Sequence, residues 1–439
     1  MNEFNENHLK KEGEICLLND SFPPLIDGVA NTVVNYAGIL KKEGVDVSVV
    51  TPAFPGIKEI ETDYPVLRYP SFDLRKLTGY TAGNPFDIPT LLELKKRDIR
   101  LLHSHCPAAS NTLARSLREA MDIPFIMTYH TKFDVDIANI IKLKGLQTGV
   151  IRALVDSVSA CDEVWVVSDG AGQNIRSLGY QGDYIVMPNG VDIKKGRVPE
   201  EEIIKATEGY DLPENVPVFL FVGRLMWYKG LKIILDALSA LRSQNMDFRM
   251  VIIGGGQEEE EIRAYTENSG LSGKVFFTGP LHDRALLSAW YCRADLLLFP
   301  STFDTNGLVV REAAACALGT VLVKGSCAAE GVANGKDGLL IEENAASLAV
   351  CLARVMENHD AMRSIGENAA NDLYYSWEDA VHRAMERYEI VIDGYKSGKY
   401  QKHRHMTDEF FNISGELLDF IAAAEEKRKH FTEKLERYW

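Results

Sequence analysis

Several features that would place a chain in a specialised class are missing from this sequence. No apolar run approaches the ~18 residues that a membrane-spanning helix needs, and the first residues are too charged for a secretory signal. The sequence contains no internal repeat and no low-complexity tract. We therefore expect a globular protein of the cytoplasm.

Cysteine pairs with a recognisable spacing are also missing. The cysteines are odd in number and lie far apart, at positions 16, 106, 161, 292, 316, 327 and 351. This scatter argues against a disulfide framework or a zinc site and is typical of reduced, mostly buried thiols.

Positive charge is scarce. The chain has 48 Lys and Arg against 63 Asp and Glu, which gives a formal net charge of −15 at pH 7. Proteins that bind nucleic acids neutralise phosphates with cations, so we expect no nucleic-acid partner. Any contact with a phosphate must come from a local cluster of basic residues.

What the sequence does contain is a series of short apolar strands that alternate with helical stretches. This pattern is typical of the α/β class, in which helices cover both faces of a parallel sheet. With 439 residues, of which 46% are hydrophobic, the chain can fill two cores. A polar, proline-bearing stretch at 211–217 precedes a new strand. We therefore predict two Rossmann-like domains, residues 1–205 and 206–375, followed by C-terminal helices in residues 376–439, with a ligand in the cleft at the carboxyl ends of the strands.

Apolar runs predict the individual strands, and amphipathic stretches predict the helices. The expected strands are 14–18, 45–51, 101–104, 125–128, 163–168, 184–188, 218–222, 250–253, 275–278 and 296–299. The expected helices are 29–43, 146–159 and 231–242.

Segment 304–312 reads Asp-Thr-Asn-Gly-Leu-Val-Val-Arg-Glu and sets two carboxylates eight positions apart. Glu312 is expected in the first turn of a helix that Gly319 ends, and Gly307 is expected to form the preceding turn. Asp304 and Glu312 can then bind the hydroxyls of one ligand at two points, while the helix N-terminus offers N–H groups to an anion. The alternative is an ordinary loop acid and a helix-start acid favoured by the macrodipole.

A glycine turn at Gly28 follows the first predicted strand and leads into a helix. Backbone N–H groups at this position could bind a phosphate. A glycine that serves the turn alone explains the same pattern.

His130 lies in the sequence Thr-Tyr-His-Thr, at the end of the predicted strand 125–128. Catalytic loops of α/β folds cluster at this end of the strands, which favours a functional histidine. The alternative is a structural histidine, which is what a lone histidine usually is.

Arg224 and Lys229 lie five residues apart in Gly-Arg-Leu-Met-Trp-Tyr-Lys-Gly, between a predicted strand and a predicted helix. In an acidic chain, two cations at the carboxyl end of a strand suit a diphosphate, because Arg binds bidentately and Lys adds a point charge. The alternative is a pair of surface cations with acidic neighbours.

The order of these motifs resembles a known family. Five motifs follow one another along the chain: the glycine loop, Tyr-His-Thr, Met-Pro-Asn-Gly-Val-Asp at 187–192, Gly-Arg-x4-Lys-Gly and acid-x7-Glu. Together they are similar to the motifs of the retaining nucleotide-sugar glycosyltransferases of the GT-B fold, group 1, in their fourth family. The resemblance spans roughly residues 14–390. The chain looks most like the bacterial diacylglycerol glucosyltransferases at three places. These are residues 20–32, His-Ser-His-Cys-Pro at 103–107, and the first acid of acid-x7-Glu, which is an Asp followed by Thr.

The resemblance implies a role for each matching residue of the second domain. Arg224 and Lys229 would hold the donor diphosphate during catalysis, Glu312 the ribose hydroxyls, and Asp304 a hydroxyl of the transferred sugar. The backbone at three further positions would line the sugar and the phosphate, namely Asn306, Gly307 and Leu308.

In the first domain, the resemblance implies that Gly28 contacts phosphate and that His130 lies against the sugar in a catalytic position. It also implies that the first C-terminal helix crosses back to this domain.

The implied function is retaining transfer of a hexose, with glucose expected, from a UDP-sugar to a hydroxyl acceptor. Diacylglycerol, a glycolipid and a soluble sugar are the candidate acceptors. In the family's proposed route the leaving phosphate takes the acceptor's proton, so no protein nucleophile is required. Asp304, where the family commonly has Glu, and Asn306, where it commonly has an aromatic residue, leave the donor sugar open.

Two other functions remain compatible with the sequence. A non-catalytic nucleotide-sugar-binding protein is suggested by the departure at Asn306. A GT-B-fold nucleotide-sugar epimerase is the other, although the last two motifs favour transfer.

Asp134-Val-Asp136 imitates the metal-binding acid pair of a different glycosyltransferase fold. Because it follows Tyr-His-Thr at a predicted helix start, where the helix dipole favours acids, we do not assign it to a metal. We expect no essential metal and no other cofactor.

Residues 137–152 combine apolar and basic side chains. Such a stretch could dock on anionic lipid, which would place the protein peripherally at the inner face of the membrane. A core-facing helix with solvated lysines is the alternative. Residues 408–439 have an amphipathic pattern typical of a helix that covers the protein's own surface.

Overall fold

The computed structural model of this chain describes residues 13–25, 27–54, 56, 60–73, 81–141 and 143–400. These residues divide into two compact units. The first unit takes in the described parts of 1–167, 171–187 and 381–439, and the second takes in 168–170 and 188–380. The second unit thus begins earlier in the chain than the predicted boundary at 205. The amphipathic stretch predicted at 408–439 lies outside the described residues.

The strands of the first unit are short and mostly buried. In chain order they are β1 (Glu14–Leu18), β2 (Val47–Pro52), β3 (Val66–Tyr69), β4 (Ser71–Asp73), β5 (Thr81–Gly83), β6 (Ile99–Ser104), β7 (Phe125–Tyr129), β8 (Glu163–Val166) and β9 (Tyr184–Val186). Within the described residues, seven of them form one parallel sheet in the order β3-β2-β1-β6-β7-β8-β9. β4 and β5 form a separate antiparallel pair.

A second parallel sheet forms the centre of the second unit. Its strands are β10 (Val218–Val222), β11 (Arg249–Ile253), β12 (Val275–Gly279), β13 (Leu296–Phe299), β14 (Gly319–Val323) and β15 (Leu339–Ile341). Their order in the sheet is β12-β11-β10-β13-β14-β15. β10, β11 and β13 are buried along their whole length, as expected for strands with helices on both faces.

The helices alternate with the strands throughout the chain. They are α1 (Gly28–Lys42), α2 (Ile88–Lys95), α3 (Ala109–Met121), α4 (Phe133–Ile140), α5 (Lys144–Ser159), α6 (Asp169–Ser177), α7 (Glu200–Thr207), α8 (Leu231–Ser243), α9 (Glu259–Asn268), α10 (Arg284–Arg293), α11 (Leu308–Ala315), α12 (Ala345–Met356), α13 (His359–Asp372) and α14 (Trp377–Lys396). Among the helices that the structure describes, none combines the length and the apolar character that a bilayer crossing requires.

Helix α14 belongs to the first unit from Val381 onward. Two ion pairs fix it there: Arg387 pairs with Glu163 at the start of β8, and Arg100 Nη1 lies 2.6 Å from Glu389 Oε1. The helix also packs Tyr388 in parallel with the indole ring of Trp165, with ring centroids 5.5 Å apart. Both aromatic rings are buried, so this helix completes the core of the first unit.

Both sheets reverse their strand order beside the first strand of the unit. β1 lies between β2 and β6, and β10 lies between β11 and β13. In open parallel sheets, ligands bind in the crevice at the carboxyl ends of the strands at such a point. The candidate residues of the sequence follow these strand ends, in the first unit after β1 and β7 and in the second after β10 and β13.

The two parallel-sheet units confirm the predicted α/β class. The predicted strands 14–18, 218–222 and 296–299 coincide with β1, β10 and β13. Strands β3, β4, β5, β14 and β15 were not predicted. The stretch 137–152 is divided between α4 and α5, with a break after Ile140.

The prediction for the helix after segment 304–312 is partly wrong. Helix α11 begins at Leu308, so Glu312 lies in its second turn and not in its first. Gly319 does not end the helix, because it is the first residue of β14. The chain leaves the helix at Ala317, whose φ of +55° places it in the left-handed region.

Candidate functional site

Arg224 is the first candidate residue after β10. Its side chain is exposed, and within the described ranges its guanidinium has no hydrogen-bonding or ionic partner. A guanidinium without a protein partner can bind an anion bidentately, without first breaking an ion pair.

Lys229 differs from Arg224 because it is buried and paired. It ends the short 3-10 helix Trp227–Lys229, and its Nζ lies 2.6 Å from Asp304 Oδ1. Asp304 Oδ2 in turn accepts a hydrogen bond of 2.6 Å from Ser301 Oγ. The structure therefore joins two motifs that are 75 positions apart in the sequence.

Gly230 fixes the approach of this loop to the end of β13. Its φ is +82°, and a Cβ atom at this position would lie 2.3 Å from the carbonyl oxygen of Pro300. A side chain is excluded on both grounds. The glycine after Lys229 is thus what allows the lysine to reach Asp304.

Two aromatic rings flank the ammonium group of Lys229. The Nζ atom lies 5.7 Å from the ring centroid of Tyr228 and 5.6 Å from that of Phe303, and the two rings are 4.6 Å apart. Such rings stabilise a cation and limit its hydration.

The N-terminus of α11 lies directly after these residues. Gly307 has φ +56° and ψ +47°, and a Cβ atom there would lie 2.8 Å from Ala328 Cβ. Within the described residues, no side chain caps the first N–H groups of α11, which begin at Leu308, although Val310 N donates to the carbonyl oxygen of Gly307 over 2.8 Å. The Nδ2 atom of Asn306 is buried, also without a partner in the described part of the chain.

Glu312 is buried, and both of its carboxylate oxygens accept hydrogen bonds. Arg284 Nη1 donates to Oε1 over 3.0 Å, and Tyr291 Oη donates to Oε2 over 2.8 Å. Arg284 also donates from Nη2 to Asp192 Oδ2 over 3.1 Å. The carboxylate is therefore held from two sides.

In the first unit, Gly28 begins α1 and is exposed, with open space where a Cβ would be. The neighbouring N–H groups are not free, however. The Asp27 carboxylate accepts from Val29 N over 2.9 Å and from Ala30 N over 2.7 Å. Two of the N–H groups that the sequence motif was expected to offer to a phosphate are thus already hydrogen-bonded to Asp27.

His130 follows β7 and lies in a cluster of buried histidines. Its Nε2 is 3.0 Å from His105 Nδ1, and the two rings are stacked. His103 contacts Tyr388 Oη and Thr128 Oγ1, each at 2.7 Å. Burial lowers the pKa of His130 to about 3 and the pKa of His103 and His105 well below the usual range. All three imidazoles are therefore neutral at pH 7.

Two members of the second-unit site were missed by sequence reasoning, Arg284 and Tyr291. They lie seven positions apart on α10, a spacing that places two residues on one helix face. This spacing was visible in the sequence, but nothing there connected it to Glu312.

No metal site was found among the residues that the structure describes: they contain no group of three or more His, Cys, Asp and Glu placed to hold an ion. Asp134 lies in the first turn of α4, where its Oδ1 is 3.4 Å from Asn174 Nδ2. The absence of a metal requirement stays a prediction.

Comparison with known families covers both units. The family described as Glycosyltransferase Family 4 matches residues 26–195, and the family described as Glycosyl transferases group 1 matches residues 203–372. The second match contains the Arg224, Lys229, Asp304 and Glu312 positions in their order along the chain. The chain belongs to the group 1 glycosyltransferases.

Individual relatives of this glycosyltransferase are distant. An alpha-monoglucosyldiacylglycerol synthase of Acholeplasma laidlawii is 22% identical, over 81% of this chain and 91% of that protein. A phosphatidyl-myo-inositol mannosyltransferase of Mycolicibacterium smegmatis is 27% identical, over 86% of this chain and 93% of that protein.

A solved structure shows the same fold. The sucrose-phosphate synthase of Thermosynechococcus elongatus superimposes with a TM-score of 0.70 at 20% identity, over 87% of this chain and 100% of that chain. The glycosyltransferase therefore has the GT-B fold, with two Rossmann-like domains.

Proposed function

We propose that this glycosyltransferase moves a hexose, with glucose the expected sugar, from a UDP-sugar to a hydroxyl acceptor with retention of configuration. The single observation that carries the proposal is the arrangement around Lys229. A buried cation bonded to Asp304 and an exposed Arg224 that has no partner in the described residues lie at the strand ends where the second sheet reverses its order. This arrangement suits a sugar diphosphate.

Each group has a role that follows from charge. Breaking the bond between the anomeric carbon and the phosphate oxygen places negative charge on the leaving diphosphate. Arg224, Lys229 and the N-terminus of α11, where Gly307 supplies no side-chain cap, stabilise that charge. The leaving phosphate accepts the acceptor's proton, so neither Asp304 nor Glu312 is a nucleophile, and both bind hydroxyl groups.

His130 is proposed to bind the transferred sugar. Burial keeps its imidazole neutral, so it binds the sugar as a neutral group and not as a cation, while its Nε2 atom stays 3.0 Å from His105 Nδ1. Gly28 is proposed to contact the donor through its own backbone, since Asp27 already engages the next two N–H groups.

A lipid acceptor is supported by one surface of the first unit. Leu143 and Leu146, at the start of α5, are 72% and 56% exposed, and Lys144 between them is also exposed. Apolar side chains beside a cation suit the boundary of an anionic membrane. The names of the two relatives each contain a lipid, diacylglycerol in one and phosphatidyl-myo-inositol in the other. We propose a glycolipid product and a peripheral membrane contact.

The decisive experiment compares the purified protein with its Arg224→Ala variant. Wild-type protein with UDP-glucose should release UDP slowly by itself and faster with a lipid extract, and mass spectrometry should detect a hexosylated lipid. Arg224→Ala should lower kcat/KM by about 100-fold and leave the unfolding midpoint unchanged, because among the described residues the guanidinium has no hydrogen-bonding or ionic partner. Arg263→Ala, which removes a half-exposed cation of the same unit, is the control.

Other outcomes identify the alternative functions. Binding of UDP-glucose without any turnover, with every acceptor extract, would favour a non-catalytic binding protein. Conversion of the donor into its epimer without release of nucleotide would favour an epimerase. Unchanged turnover by Arg224→Ala would contradict the proposed site.

A further inference from the structure

Glu312 is held by two residues that no sequence motif connected with it. Its carboxylate lies inside the second unit, where Tyr291 donates to one oxygen and Arg284 to the other. A buried carboxylate with a separate donor on each oxygen cannot rotate freely about its terminal torsion. Its position and orientation are therefore fixed before any ligand arrives.

The two donors come from one face of one helix. Arg284 and Tyr291 are the first and eighth residues of α10, so two helical turns separate them. Tyr291 is fully buried, and its side chain can reach Glu312 without competition from water. Burial and the neighbouring carboxylate raise the pKa of Tyr291 well above its ordinary value, so its hydroxyl stays protonated and remains a donor.

Arg284 is itself held by Asp192. The guanidinium donates from Nη1 to Glu312 and from Nη2 to Asp192, and the latter distance is 3.1 Å. Asp192 ends the Met-Pro-Asn-Gly-Val-Asp motif at 187–192, to which the proposed mechanism gives no other role. The side chain of Arg284 is 48% exposed, so without Asp192 it would sample other positions.

We propose that Tyr291 and Arg284 are positioning residues that aim the Glu312 carboxylate at the ribose hydroxyls of the donor, and that Asp192 keeps Arg284 in place. This inference rests on the proposed role of Glu312 in donor binding. Each carboxylate oxygen can accept a second hydrogen bond after the first is made. The two remaining acceptor sites suit two adjacent hydroxyl groups, and the preorganised carboxylate loses little freedom when it binds them.

Variants of Tyr291 and Arg284 should discriminate less between a ribose and a 2′-deoxyribose ligand than the wild-type protein does. Wild-type protein should bind UDP more tightly than 2′-deoxy-UDP, because the missing hydroxyl leaves a buried acceptor unpaired. Tyr291→Phe removes one hydroxyl and keeps the ring. It should weaken UDP binding about tenfold and 2′-deoxy-UDP binding by less, so that the preference for the ribose form shrinks.

Matched controls exist within the same unit. Tyr265 also donates its hydroxyl to a carboxylate, that of Asp236, over 2.5 Å. Tyr265→Phe should leave both affinities within twofold of wild type. Arg284→Gln should act like Tyr291→Phe. Its control is Arg263→Gln, because Arg263 forms an ion pair with Glu259 and is exposed to a similar degree.

The measurement is isothermal titration calorimetry with UDP, ADP, GDP and 2′-deoxy-UDP, so it requires no acceptor and no turnover. In a Glu312→Ala background, adding Tyr291→Phe should change UDP affinity by less than threefold, measured by ligand-observed NMR. If Tyr291→Phe does not fold, Arg284→Gln tests the positioning role instead. We expect this variant to fold, because the Arg284 side chain is half exposed.

Four results separate the two proposals. If the wild-type protein binds no ribonucleoside diphosphate, the proposed function itself fails. If it binds one and both variants match wild type, the positioning role alone is wrong. The same holds if the variants weaken UDP and 2′-deoxy-UDP equally, or if Tyr291→Phe keeps its full effect without Glu312.

Discussion

Lys229 and Asp304 form a short ion pair, with Nζ 2.6 Å from Oδ1, in which the lysine side chain is 9% exposed and the aspartate side chain 22% exposed. The pair joins a cation expected to bind the diphosphate with an acid expected to bind the sugar. A buried ammonium without a partner is costly, so Asp304 also stabilises the donor-free protein. The two proposed binding roles are therefore not independent.

Removal of Asp304 should destabilise the second unit. Asp304→Ala leaves Lys229 buried and unpaired, and we expect a loss of about 3 kcal/mol in the free energy of unfolding in urea. Glu367→Ala, which breaks an exposed pair with Arg363, should change it by less than about 0.5 kcal/mol. Adding Lys229→Met to Asp304→Ala should restore part of the loss. A further loss of stability in the double variant would contradict the coupling.

Substitution of Gly307 by alanine should lower the free energy of unfolding by more than the left-handed backbone of Gly307 alone explains. Gly335 has φ +79° and open space where a Cβ would be, so Gly335→Ala should lower the free energy of unfolding by about 1 kcal/mol. Gly307→Ala adds a contact of 2.8 Å with Ala328 Cβ, and we expect at least about 1 kcal/mol more. Ala328→Gly in the same chain should recover part of that difference. Equal effects of the two glycine substitutions in urea unfolding would show that the contact relaxes without cost.

The buried histidines should make stability depend on pH. An unfolded chain binds a proton on each imidazole near pH 6.5, whereas burial lowers the folded pKa of His130 to about 3. Unfolding therefore takes up protons below pH 6.5, and stability is present above this pH and is lost as the pH falls toward 3. His130 alone should account for roughly 1.4 kcal/mol per pH unit within this window.

Urea unfolding at pH 7.5 and pH 5.5 measures this effect. His130→Gln should reduce the loss of stability between the two pH values, while His282→Gln, at an exposed imidazole, should leave it unchanged. An identical loss in His130→Gln and wild type would mean that His130 binds protons equally in the folded and the unfolded protein.

The start of α5 should bind anionic vesicles. Leu143→Ser with Leu146→Ser removes two exposed apolar side chains and should weaken co-sedimentation with phosphatidylglycerol vesicles about tenfold or more. Ile204→Ser with Val350→Ser removes two exposed apolar side chains of the second unit and serves as the control. Failure of the wild-type protein to bind at low salt would argue against a lipid acceptor.

Chelation should not affect turnover. The proposed chemistry uses Arg224, Lys229 and a helix N-terminus to stabilise the leaving diphosphate, and none of these needs an ion. Release of UDP should continue at its full rate after exhaustive dialysis against EDTA. Loss of activity that returns with Mg²⁺ or Mn²⁺ would overturn this prediction.

Local patterns in the chain were sufficient for much of the fold. β10 and β13 consist of apolar residues between turn signals, so their bounds could be predicted to the residue. The short strands β3 and β15 escaped because three or four residues carry too little periodicity to distinguish a strand from a loop. The helix that contains Glu312 was predicted to begin at Glu312, but α11 begins at Leu308, because Gly307 allows the helix to begin directly after it.

The sequence by itself determined the α/β class, the order of the motifs and the glycines on which they depend, because these follow from local backbone preference and from spacing along the chain. Only the tertiary structure decided which charges meet. Lys229 and Asp304 become partners because β10 and β13, which they follow, are neighbours in the second sheet, and Tyr291 of α10 meets Glu312 of α11 only in the folded chain. Burial then makes each of these contacts strong, and burial is a property of the packed chain that residue spacing cannot supply.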